Sequence, residues 1–163
     1  MARATIASLA RSKVKHMRLA LWLHVVGVVI WVGGMFFAHM ALRPSVQALQ
    51  PAERLTLLSA TLTRFVAWAG GAVVAILGSG MAMVAMLGGF DAVNRWIASM
   101  AVAGIVMIVI YLWLVAVPFR QLRAAVAASD WPAAGASMKR VRHLVAVNLG
   151  IGLVVITFGV LAR

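Results

Sequence analysis

Residues 19–42 read LALWLHVVGVVIWVGGMFFAHMAL, and this stretch decides the fold. At roughly 1.5 Å per residue its 24 residues make a helix of about 36 Å, longer than the bilayer hydrocarbon core of about 30 Å. It therefore reads as a transmembrane helix, yet it holds His24 and His39, residues that such a segment normally avoids. With about 100° of turn per residue, His24, Gly27, Trp31, Met35 and His39 fall on one stripe. A histidine lies near each membrane surface, and Trp31 sits near mid-depth, away from the interface that tryptophan prefers. A stripe this polar is expected to face other helices rather than lipid.

The rest of the chain agrees. Of 163 residues, 64% are hydrophobic, and the mean hydropathy is +1.03, which places the chain among integral membrane proteins. There are no cysteines, so disulfides, thiolate metal sites, iron–sulfur clusters and cysteine nucleophiles are all excluded. The net charge of +12 would suggest nucleic acid in a soluble protein. Here every Lys and Arg lies outside or at the ends of the apolar runs, as expected for anchoring to anionic headgroups. The acids Glu53, Asp91 and Asp130 also lie outside them, which argues against a proton-coupled pump or a carboxylate-based hydrolase.

Residues 1–18 read as a basic interfacial lead-in to a retained helix, and residues 19–163 as one four-helix domain with spans near 19–42, 64–87, 95–117 and 141–162. Arg43-Pro44 is expected to end the first span. Pro51 and Glu53 suit the first turn of the second helix, and Gly70, Gly71, Gly78 and Gly80 suit close helix approach within it. Gly88-Gly89 should stop that helix and Asp91 should cap the third. Pro118 should kink the third helix, and Ser129-Asp130-Trp131-Pro132 reads as a capped turn into the fourth. The result is an all-α, up-down-up-down transmembrane bundle, with helices three and four extended beyond the membrane. Lys and Arg divide seven against eight between the two sides, which gives no positive-inside bias.

In this topology the end of the first helix and the start of the fourth share a membrane face. His39 and His143 are expected to converge there, beside Arg43 and Arg142. Two imidazoles can supply both axial ligands of a haem iron, with the arginines on its propionates. The same pair can instead hold copper, with Met35 or Met40 adding a thioether. On the opposite face, His24 is joined by Met81, Met83, Met86 and Met100, a donor set that suits Cu(I) and, as His/Met ligation, also haem; only some of Met81, Met83 and Met86 can point inward at once. For each of these residues the simpler alternative is packing or headgroup contact.

The run LWLHVVGVVIWVGGMFFAHMALRP, with His24, Trp31, Gly33-Gly34 and Arg43-Pro44, resembles the opening helix of the copper resistance protein D (CopD) family. Ser79-Gly80, and Arg142 with Asn148, are looser similarities. The same spacing is similar to HemJ-type protoporphyrinogen oxidases, and that likeness implies His24 as a haem b ligand. The glutamate that follows the asparagine in HemJ-type proteins and their third-helix lysine are not found here. The resemblance thus implies copper or haem handling rather than protoporphyrinogen oxidation.

The first expectation is a bacterial-type inner-membrane protein that coordinates haem b, or else copper, through His24, His39 and His143. Arg43, Arg142, Trp31 and Asn148 would line the cofactor, and Met81, Met83 and Met100 would add metal ligands. Its use would be electron transfer with a quinone or a partner subunit, or copper or haem handling, and as an enzyme it would be a membrane oxidoreductase. Its partners would be the lipid bilayer, a quinone or a redox protein, and further copies or subunits of a membrane complex, with no nucleic acid. The alternatives are a copper permease with a His/Met pathway and a cofactor-free accessory subunit.

Overall fold

Four long helices account for nearly all of the computed structural model, which describes residues 2–161. We label them α1 (residues 2–48), α2 (Pro51–Leu87), α3 (Arg95–Ala127) and α4 (Trp131–Leu161). Each is long and apolar enough to cross a membrane, and the described residues contain no strand. The chain is a four-helix transmembrane bundle. Its outer face carries residues such as Val29, Phe37, Trp68, Val74 and Val102, all exposed, as expected of a surface solvated by lipid.

Local chemistry sets the turns. Gln50 precedes Pro51 at the start of α2, with Glu53 in the first turn, where proline loses no hydrogen bond and an acid meets the positive helix end. α2 stops at Gly88, whose φ of 106° is left-handed. Gly88 N–H donates to Ala85 O, and Gly89 N–H donates to Val84 O, the glycine stop that the sequence signals. The cap of α3 is Asn94 rather than the expected Asp91: its Oδ1 accepts from the Trp96 and Ile97 amides. Asp91 stands too far before Arg95 to reach those groups. Asp130 caps α4 as expected, accepting from Ala133 N–H at 3.0 Å.

Arg43-Pro44 does not end α1. The helix passes through two π turns, Val29–Gly33 and Ala38–Leu42, and runs on through Arg43–Ser45 to a short 3₁₀ turn, Val46–Ala48. A proline ring clashes with the carbonyl four residues earlier in a regular α-helix; the widened turn just before Pro44 relieves that clash. Pro118 likewise lies inside a π turn, Val115–Phe119, so the expected kink takes the form of a wide turn.

α1 packs along α2, and α3 along α4, while α4 also touches α1 and α2. α1 comes close to α2 at Gly27, where a Cβ would lie 2.7 Å from Ile76 Cγ1 and 3.1 Å from Ala72 O. Seven residues on, Gly34 sits against the Phe65 ring. Within α2 only two of the four expected glycines touch a neighbour: Gly70 meets Tyr111 and Gly80 meets His24, whereas Gly71 and Gly78 face open space. On α4, Asn148 and Gly152 are buried together, and Gly152 fits between Val32 and Met107.

Candidate functional site

His24 is held by α2. Its ring Nδ1 lies 3.1 Å from Ile76 O and 3.1 Å from Ser79 Oγ, while the Ser79 hydroxyl donates back to Ala75 O. A carbonyl only accepts, so Nδ1 carries the proton and Nε2 keeps its lone pair. Nε2 makes no hydrogen bond among the described residues. A metal-bound histidine is usually fixed this way, with one nitrogen tied to a carbonyl and the other presented to the ion. Gly80 makes room for the ring, since a Cβ there would lie 3.3 Å from His24 Cε1.

One turn beyond Ser79 on the same face of α2 stands the half-buried Met83. Met17, seven residues before His24 on its own face of α1, is also half-buried. The sequence contained that spacing, but the surrounding basic residues mark the segment as a lead-in. Met81 is 50% exposed and points outward. Met100 packs near Gly159 of α4, not at the α1–α2 seam that holds His24. Thus the half-buried Met83 and Met86 keep to the face of α2 that carries Ser79, while Met81 and Met100 leave the cluster expected there.

Deeper in the bundle, Trp31, Met35 and Asn148 are almost fully enclosed, at 3%, 2% and 2% exposure. Trp31 meets Tyr111 edge-on, with ring centroids 5.9 Å apart, and the Tyr111 hydroxyl donates to Val66 O. Asn148 Nδ2 donates toward Met35 Sδ at 3.9 Å, a weak bond to a poor acceptor. Its Oδ1 is buried without a partner among the described residues, an arrangement costing about 1–3 kcal/mol. Met35 and Asn148 therefore set a thioether and an amide oxygen side by side at the bundle centre.

At the other end, His39, Arg43 and Arg142 line a cleft of ≈ 50 Å³ together with Thr61 and Met138. His143 is not there. Successive residues on a helix point about 100° apart, and Arg142 takes the inward position. His143 is exposed and lines a separate groove beside Trp113. The expected His39–His143 pair for one iron or copper is replaced by a single histidine among arginines. Met40, the other thioether considered there, is 59% exposed.

A family model for copper resistance protein D matches residues 59–162. The chain belongs to the copper resistance protein D (CopD) family. The matched part runs from within α2 to the end of α4 and includes Ser79, Gly80, Arg142 and Asn148. α1, with His24 and Trp31, lies before it. No curated protein and no solved structure matches the chain. It is a multi-pass membrane protein of a copper-resistance family.

At His39 the CopD chain leaves a cleft of only ≈ 50 Å³, well under the about 300–1,000 Å³ of a drug-sized pocket, and the larger groove beside Trp113 holds a single histidine, His143. Among the described residues no group of three or more His, Asp or Glu gathers, so histidine with thioether is the donor chemistry available inside. That set suits Cu(I).

Proposed function

We propose that this CopD protein handles monovalent copper as cargo, taking it at His24 and passing it toward the bundle interior. The observation that carries the reading is the His24 ring, whose Nδ1–H is engaged by Ile76 O and lies against Ser79 Oγ while Nε2 has no partner among the described residues. Met17 and Met83, on the faces of α1 and α2 that carry His24 and Ser79, would flank the entry, and Met35 with Asn148 would supply softer and harder donors at mid-depth. His39 would complete the stripe at the other surface, where Arg43 and Arg142 disfavour a cation. That repulsion makes the His39 end a point of release rather than of storage. Its place would be a bacterial-type plasma membrane.

The test is a Cu(I) titration of detergent-purified protein against a chromophoric Cu(I) chelator, with an absorption spectrum and metal analysis of the same sample. Wild type should take Cu(I) from the chelator, and His24→Ala should bind at least tenfold more weakly, about 1.4 kcal/mol, with unchanged helical content. Equal binding by the variant would remove His24 from the pathway. A sharp b-type band in the reduced-minus-oxidised spectrum would replace copper with haem, and with it would return electron transfer to a quinone or partner protein. Neither metal nor colour would make the chain an accessory subunit.

A further inference from the structure

The groove that contains His143 has no part in the copper reading, yet it is far roomier than the cleft at His39. Its volume is ≈ 430 Å³, and it opens on the outer face between α3 and α4. Its cause is local. The π turn at Val115–Phe119 widens α3 around Pro118, and a wide turn does not nest against a regular helix as an α turn does.

The walls are graded along the membrane normal. α4 runs inward from Trp131, so Lys139 and Arg140 lie about one turn nearer its outer end than His143 and Leu144. α3 runs outward, so Trp113 lies deeper than Val117. Arg140 donates to Gln121 Oε1 across the outer end. The outer half is thus cationic, with Lys139 and Arg140 both exposed. The inner half is apolar, formed by Trp113, Val117 and Leu144, with His143 at the boundary. No Asp or Glu lines it, so the cations have no internal counter-charge. The exposed Trp113 is of the type that marks the level where headgroups meet acyl chains.

A ligand matching this gradient has a phosphate at one end and a hydrocarbon chain at the other. We propose that the groove is a binding site for one anionic phospholipid, its phosphate between Lys139 and Arg140 and an acyl chain along Trp113, Val117 and Leu144. Basic pockets between transmembrane helices hold lipid headgroups in this manner. His143, with both ring nitrogens free of protein hydrogen bonds among the described residues, would donate to the headgroup from the boundary. Two cations facing one phosphodiester select a lipid with net negative charge over a zwitterionic one. The inference is independent of the copper reading.

The experiment uses the full chain, delipidated in neutral detergent, with phosphatidylglycerol or phosphatidylcholine added and thermal unfolding followed. Phosphatidylglycerol should raise the melting temperature, and phosphatidylcholine should not. The double variant Lys139→Gln/Arg140→Gln should lose that rise while melting like wild type without lipid, because both side chains are exposed. A control variant, Lys13→Gln/Lys15→Gln, removes the same charge near the start of α1 and should keep the rise. Equal responses to the two lipids, or loss of the rise in the control variant, would overturn a specific site in favour of general charge attraction. Displacement of the lipid effect by millimolar inorganic phosphate alone would assign the groove to free phosphate instead.

Discussion

Two polar spots interrupt the same apolar bundle, and they are treated in opposite ways. At the α1–α2 seam His24 is oriented by its neighbours: a backbone carbonyl and a hydroxyl fix one nitrogen and, by doing so, define what the other can do. At mid-depth Asn148 is held by packing: among the described residues a thioether is its one side-chain partner and its oxygen is unmatched. The first arrangement is pre-organised. The second carries an unpaid polar group that only a guest, such as a cation or a water, would satisfy. The contrast teaches that position in a bundle does not set a polar residue's role; the partners of its second polar atom do.

The largest disturbance of this contrast should come from Gly27→Leu. The added side chain would press on Ile76 Cγ1 and Ala72 O and move α1 off α2. We expect a loss of about 3 kcal/mol, the upper part of the overpacking range, seen as a lower melting temperature in detergent together with weaker Cu(I) binding. Unchanged melting would show that α1 is not pinned to α2 at this layer. Ser79→Ala is a finer probe, since it removes one of two partners of Nδ1 and leaves Ile76 O. Cu(I) affinity should fall about tenfold, or about 1.4 kcal/mol, as when outer-shell partners of ligands are removed. A variant that binds like wild type would show that the carbonyl alone orients the ring.

The smallest effect, and the one of opposite sign, is expected for Asn148→Leu. Removing a buried unmatched amide should stabilise the protein by about 1 kcal/mol, read as a higher melting temperature, and should reduce copper passage in cells expressing it. Such trade-offs are common where a functional polar group sits in a core. A lower melting temperature would mean that Oδ1 is satisfied in the folded protein, and the two spots would then be alike.

Much of this was written in the chain. Hydropathy and length marked all four helices, because the bilayer admits few other solutions. The glycine stop at Gly88 and the cap at Asp130 were legible for the same local reasons. The inward stripe of α1 could be read from periodicity, since Trp31 and Met35 alternate with the exposed Val29 and Phe36. What the sequence hid is of a different kind. The choice between Arg142 and His143 for the inner position depends on the rotation of α4, which adjacent residues cannot disclose. The partner of His24 depends on the register of α1 against α2, set by Gly27 and Gly34. The pairing of Met35 with Asn148 depends on both. The path of α1 beyond Pro44 turned on a π turn, which no hydropathy pattern announces.

Those π turns have a consequence for how α1 tolerates changes in length. A π turn carries one more residue than the α turn it replaces. Deleting a single residue within Val29–Gly33 or Ala38–Leu42 would let the helix regain its regular pitch there at little cost in hydrogen bonds. In most transmembrane helices such a deletion swings everything beyond it by about 100°. In α1 the wide turn has a residue to spare, so the face carrying His39 and Arg43 would stay nearly in place. The helix is thus buffered against the loss of a residue at two points along its length, and against no other kind of change.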